Sequence, residues 1–248
     1  MESDIHVALR PEVLGHVFMM PITNSLIMTW AVMVLLLVLV VLFRRSLSLV
    51  PGRIQAGIEA SVEAVLGYMS ETLGSEKLAR TFFPLVASIG IFVALANVLE
   101  FLPGIGSIGL EHGAEFLPLL RAPAADLNFT LALAAIAFFT IEITSIAALG
   151  TITYISKYLN FASPIGFIVG LIEFISNLGR LISFSFRLFG NIFAGEVLVL
   201  VATFFVPYIL PAPLMLFEMF IGVIQGIVFA MLTLFFIKLA IMKPHEAH

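Results

Sequence analysis

The sequence predicts an all-α polytopic membrane protein. About five membrane helices are expected, the last two long and steeply tilted, with one amphipathic surface helix after the first span. Three observations carry this prediction. The chain is 61% hydrophobic and 11% charged over 248 residues, too few charges to cover the surface of a water-soluble domain of that size. The run Leu26 to Phe43 is 18 residues without a charge, long enough to cross a bilayer as a helix. Further apolar stretches recur at 81–102, 126–149, 165–206 and 211–243, separated by the breaker-rich segments LPGIGSIG, RAPAAD, NFASPIG and VPYILPAP.

The elements follow in order within a single membrane domain, 1–248. Residues 1–25 form an N-terminal segment and 26–43 the first span. Glu2, Asp4 and Glu12 precede that span and Arg44–Arg45 follow it, the reverse of a secretory signal. Residues 50–74 then read as an interfacial helix. Ile54, Ile58, Val62, Leu66, Met69 and Leu73 recur every three or four residues, with Arg53, Glu59, Glu63 and Glu71 between them. The same periodicity suits a helix packed on another subunit. Residues 81–149 are expected as a helix hairpin and 165–243 as a pair of long helices. As one helix, 165–206 would extend about 60 Å at 1.5 Å per residue, against a hydrocarbon core of about 30 Å. It must therefore break or lie steeply inclined.

Charge sets the expected orientation. With the N-terminus outside, the cytoplasmic segments hold Arg44, Arg45, Arg53, Lys77, Arg80, Lys157, Lys238 and Lys243. Only Arg10 and Arg121 lie on the other side, which obeys the positive-inside rule. With no transit segment ahead of the first span, the expected location is a bacterial plasma (inner) membrane, with the C-terminus cytoplasmic. The net charge of −4 gives no reason to expect nucleic acid. There is no cysteine for a disulfide or thiolate site, and no cofactor or metal site is expected. GIGSIG at 104–109 follows no strand and reads as loop glycine. His245 and His248 are too few for a metal centre.

Arg180 and Arg187 fall inside the fourth span. On a helix, Glu173, Arg180 and Arg187 are spaced by seven and lie near one face, joined by Ser176, Asn177, Ser183 and Asn191. Glu196 lies about half a turn away from Arg187. In the fifth span Glu218 and Gln225 are again seven apart, with Gly222 between them. A charge at a helix centre costs roughly 3 kcal/mol, so such residues usually mark an ion path or proton relay. The packing alternative pairs Arg180 with Glu173. Arg187 has only Ser183, Phe184, Gly190 and Asn191 three and four residues away, so its counter-charge must come from another helix or chain. Glu142, deep in the third span, is a path residue or a pairing partner. Glu100, near a helix end, reads as structural.

These residues also carry a resemblance. FRLFGNIFAGE closely resembles the signature of the a subunit of rotary F-type ATP synthases. PAADLNFTLAL resembles the family's P-x-x-D-x-N-x-T segment, LIEFIS places Glu173 fourteen residues before Arg187, and FEMFIGVIQGIVFAMLT resembles the last helix. The resemblance covers about residue 80 to the end well and the N-terminal third in outline. It implies a non-catalytic stator subunit with two offset half-channels that pass protons to and from the carboxylates of a rotating c-subunit ring. The implied partners are that ring, b-type peripheral stalk subunits, the rest of the ATP synthase and the lipid bilayer. Arg187 would be the ring-facing arginine. Asn191, Glu196, Glu218 and Gln225 would form the outer half-channel, and Glu173 the inner exit path, with Glu142 and Arg180 as accessory residues. Many relatives have a histidine where this chain has Glu196 or Glu218; two nearby carboxylates could share a proton.

Two other function classes are weaker. A self-contained proton or cation transporter often shows internal repeats, and none is evident. An intramembrane enzyme needs a nucleophile–base set or metal ligands, yet no cysteine exists and no histidine lies in an expected span.

Overall fold

The computed structural model describes residues 11–102, 104–105, 108–112, 115–158, 164–207 and 209–242. Arg10, Lys243, His245, His248 and residues 159–163 lie outside the described residues. Five helices are long and apolar enough to cross a membrane. They are α1 (Asn24–Ser46), α3 (Glu76–Glu100), α4 (Leu127–Leu149), α6 (Pro164–Phe205) and α7 (Pro211–Ile241). Two shorter helices lie between them, α2 (Arg53–Leu73) and α5 (Thr151–Tyr158).

The all-α expectation omitted two small antiparallel hairpins. One pairs β1 (Val13–Val17) with β2 (Met20–Thr23), and the other pairs β3 (Gly109–His112) with β4 (Glu115–Pro118). Each strand is four or five residues, too short for an alternating pattern to stand out beside the membrane spans. The sequence expectations likewise contain no helix at Thr151–Tyr158, where α5 forms. The up-and-down chain path puts both hairpins at one end of the bundle and α2 and α5 at the other; these are called here the hairpin end and the α5 end.

Local chemistry marks the helix boundaries. Thr23 caps α1, its hydroxyl accepting from the Leu26 N–H at 3.3 Å, and Ser75 caps α3 in the same way at 3.5 Å. Arg44 and Arg45 sit in the last turn of α1, where the helix dipole favours cations. Helix α2 ends at Gly74, whose φ of 69° is readily adopted only by glycine. Met69 and Leu73 of α2 are buried against α3, while Ile54, Ile58 and Val62 stay exposed. The apolar face of α2 is thus largely uncovered within this chain, as an interfacial or subunit-docking helix requires.

The core is built from α3, α4, α6 and α7. Helix α3 lies chiefly along α7, through a seam of small residues. A Cβ at Gly226 would stand 2.6 Å from the Gly90 carbonyl oxygen and 2.8 Å from the Ala94 Cβ; one at Gly222 would stand 2.6 Å from the Asn97 Cβ. Helix α4 packs on α6 and α7. The expected 81–149 hairpin is therefore not a packed pair of its own, although Phe92 and Phe129 bring α3 and α4 together at 5.9 Å between ring centroids. The physical reason is the seam, because backbones without side chains between them approach more closely than the chain-adjacent helices can. Helix α1 joins α3 through a smaller cluster of Met28, Val32 and Ala96, and most of its surface remains apolar and exposed, suited to lipid.

Helix α6 runs 42 residues without interruption, which excludes a break as the answer to its excess length. Inclination, or extension beyond the hydrocarbon, is the solution left.

Candidate functional site

Helix α6 has two unlike faces. Phe184, Leu188 and Ile192, four residues apart, are buried in the core, with Phe184 stacked on Phe229 at 5.0 Å. The other face exposes Ser176, Ser183, Arg187, Gly190, Asn191 and Ala194. It is polar, and a Cβ added at Gly190 would meet nothing within 4 Å. Arg187 is exposed at the middle of this stripe, and among the described residues no ion pair or hydrogen bond engages it. Asn191, one turn on, donates from Nδ2 to the Gln225 Oε1 at 2.8 Å. The expected Asn191–Gln225 neighbourhood is thus present between α6 and α7.

Toward the hairpin end lies a second group. Glu218 is 4% exposed and packs over Gly195, where a Cβ would stand 2.2 Å from its Oε2. Glycine at 195 is what admits this carboxyl between the two helices. The Glu218 Oε2 and the Gln225 Nε2 are buried without a hydrogen-bond partner, as is the Oδ1 of Asn97, whose Nδ2 donates to the Gly222 carbonyl at 3.4 Å. Such atoms cost about 1–3 kcal/mol each when left unsatisfied. They lie along the contact between α3 and α7.

Glu196 faces another way. Its carboxylate is clasped by Arg121, with Nε to Oε1 at 3.1 Å and Nη2 to Oε2 at 3.0 Å. In the sequence Arg121 is only one of two basic residues on the outer side; in the fold it is buried and its bidentate grip spans 75 positions of chain. Among the described residues no hydrogen bond joins Glu196 to Glu218, and Glu196 gives both oxygens to the guanidinium. Glu100, read as structural, stands within electrostatic reach of Arg121, Glu196 and Glu218, and its Oε2 is buried without a hydrogen-bond partner. Glu12, Glu100, Arg121 and Glu196 line one cavity of about 440 Å³ at the hairpin end.

The segment PAADLNFT opens α4. Asp126 caps α4, accepting from the Asn128 N–H at 2.9 Å and from its Nδ2 at 3.2 Å. Thr130 then meets Ser185 of α6 at 3.0 Å, hydroxyl to hydroxyl. These residues fix the start of α4 beside α6.

The α5 end holds a third group. Tyr154 of α5 donates its hydroxyl to Glu142 of α4, and Asn177 of α6 donates to the Tyr158 hydroxyl. The two phenol rings stand edge-on at 5.2 Å. Burial, then the hydrogen bond to Glu142, pushes Tyr154 well above the usual phenol range; burial, then the Glu142 charge, raises Tyr158 as well. Glu173 and Arg180 both lie within electrostatic reach of Tyr158. Arg180 places its guanidinium 4.9 Å over the Phe236 ring, a cation–π contact. Sequence reasoning missed both tyrosines. Their i, i+4 spacing in TITYISKY was the available signal.

Residues 26–238 match the family described as ATP synthase A chain. The ATP synthase subunit a of Campylobacter jejuni subsp. doylei is 38% identical over 192 residues, covering 76% of this chain and 77% of that one. The subunit a of Moorella thermoacetica is 33% identical over 229 residues, covering 92% and 95%. That of Aliarcobacter butzleri is 33% identical over 204 residues, covering 82% of each. A match spanning all five membrane helices, and relatives aligned over most of both chains, lead to one conclusion: the chain belongs to the ATP synthase A chain family.

Proposed function

We propose that this chain is the stator channel subunit of a rotary ATP synthase, with Arg187 as the fixed charge between two half-channels. Membership of the family makes it a multi-pass component of a larger ATP synthase in a bacterial inner membrane. The observation that carries the finer reading is Arg187 itself. It stands exposed on a polar stripe midway along α6, without an ion pair among the described residues, between separate polar groups toward either end. A lipid-facing charge there would be very costly, so another chain must cover the stripe. A ring of c subunits carrying carboxylates supplies both the cover and the counter-charge.

The mechanism follows from electrostatics. A ring carboxyl facing lipid must be neutral, because an ionised one is poorly solvated there. Beside the Arg187 guanidinium its ionised form is favoured. Arginine suits the role because it keeps its proton in proteins, whereas a buried lysine can lose it. The hairpin-end group of Asn191, Gln225, Glu218 and Glu196, with Glu100 and Arg121, serves one half-channel. The α5-end group with Glu173 and Glu142 serves the other. Protons pass between them only as the ring turns. By the positive-inside argument the hairpin end and the N-terminus lie outside and the α5 end is cytoplasmic. The ring is one specific partner, and the peripheral stalk is the other.

The test is Arg187→Ala in membrane vesicles, with assembled complex, ATP-driven pumping and passive proton conductance measured together. Normal assembly with coupled pumping abolished is expected, and Arg187→Lys should fail as well. Pumping near the parent level in the alanine variant refutes the assignment.

A further inference from the structure

At the α5 end, two carboxylates on different membrane helices are joined by two phenols on a third helix. Tyr154 and Tyr158 lie one turn apart on α5, which bridges α4 and α6. The Tyr154 hydroxyl donates to Glu142, the two phenol rings meet edge-on at 5.2 Å, and Glu173 lies within electrostatic reach of Tyr158. Asn177 donates to Tyr158 from the α6 side and holds that hydroxyl in place. A cavity of about 420 Å³ adjoins the chain of groups. Phe138, Ile155, Phe167, Leu171, Phe174 and Leu178 make most of its wall apolar. Such a wall gives bridging water few partners, so the polar atoms lining it offer the better-connected route.

We propose that Tyr154 and Tyr158 carry protons between Glu173 and Glu142 and form the α5-end mouth of the half-channel; this rests on the stator reading above. One transfer begins with Glu173 protonated and Glu142 ionised. The Glu173 proton passes to the Tyr158 oxygen as the Tyr158 proton passes to the Tyr154 oxygen. The Tyr154 proton passes in turn to the Glu142 carboxylate. One O–H bond breaks and one forms at each phenol, both phenols end neutral, and one proton has moved from Glu173 to Glu142. Rotation of the two hydroxyls resets the chain, and the reverse sequence runs in the opposite direction of operation. The side chains facing the phenols are consistent with neutral, hopping-competent groups. Glu142 comes from α4, and Glu173, Asn177 and Arg180 from α6. Asparagine cannot relay a proton, so Asn177 is a positioning residue.

The experiment uses vesicles containing the whole complex, with passive proton conductance read after removal of the peripheral catalytic sector. Tyr154→Phe and Tyr158→Phe keep the edge-on ring packing of Tyr154, Tyr158 and Phe174 and delete only the hydroxyls. Each should assemble normally and lower conductance by about a hundredfold, the scale on which loss of a positioned proton donor is felt. The double variant should be no slower than either single, because a chain of hops is broken once. Conductance within twofold of the parent in the double variant overturns the relay. If the phenylalanine variants fail to assemble, Glu142→Gln, which keeps an acceptor for Tyr154 but cannot take up its proton, decides the matter by the same fall or its absence. Arg187→Ala in the same vesicles separates the two readings. Lost pumping there with unchanged conductance in the tyrosine variants sinks the relay alone, whereas retained pumping there sinks the stator reading beneath it.

Discussion

Removing Arg121 tests whether the hairpin-end cavity is held together by one cation. In Arg121→Met the side chain keeps much of its apolar length and loses its charge. The parent guanidinium side chain is 8% exposed and its partner Glu196 35% exposed. Breaking a fully buried pair from one side costs about 3–5 kcal/mol. Glu196 is a third open to solvent, so part of its charge can rehydrate, and the expected cost drops to about 2 kcal/mol. At about 1.4 kcal/mol per factor of ten, that is about a thirtyfold loss in the folding equilibrium. The assay is thermal denaturation of the purified complex, scored by retention of this subunit, alongside ATP-driven proton pumping. Arg121→Met/Glu196→Leu should recover much of the stability, because an apolar pair of similar volume replaces a buried ion pair without leaving a charge behind. It should not recover pumping. If the two single losses simply add in the double variant, the residues are not coupled and the clasp is not what orders this end.

Three further outcomes follow from the packing and the polar groups. Gly226→Ala should destabilise the subunit by about 1–3 kcal/mol, because its methyl meets backbone atoms at Gly90 and Ala94 that cannot swing aside; Gly179→Ala, with open space around it, should instead gain up to about 1 kcal/mol from helix propensity, and equal effects in a thermal-shift comparison refute the seam. Cysteine at Glu173 should react with a membrane-impermeant thiol reagent from the cytoplasmic side, and labelling from the outer side alone reverses the orientation. Because the folded state holds Tyr154 protonated above the pH at which an unfolded phenol ionises, its contribution is complete below about pH 10 and is lost as pH rises further; Tyr154→Phe should therefore lose less stability than the parent in alkaline denaturation, and superimposable curves refute this.

The spans, the order of the helices and the polar residues on α6 and α7 were all legible in the sequence. They depend on local properties: apolar run length, the 3.6-residue period, and the cost of a charge in hydrocarbon. Leu26 to Phe43 could be little else than a span, and Arg187 announced itself because no acid stands one turn away. Pairing between elements distant in sequence was not legible. Nothing near Arg121 says that it will reach Glu196, and nothing near Glu100 says that three other charged groups will gather around it. Nor could the sequence say that α3 lies along α7, or that a loop-like eight-residue segment folds as α5 and sets two phenols between α4 and α6. Periodicity reports which face of a helix is buried, not which neighbour buries it. That choice is made by backbone approach at Gly90, Gly222 and Gly226 and by partners satisfying one another across the bundle, and both exist only once the helices have packed.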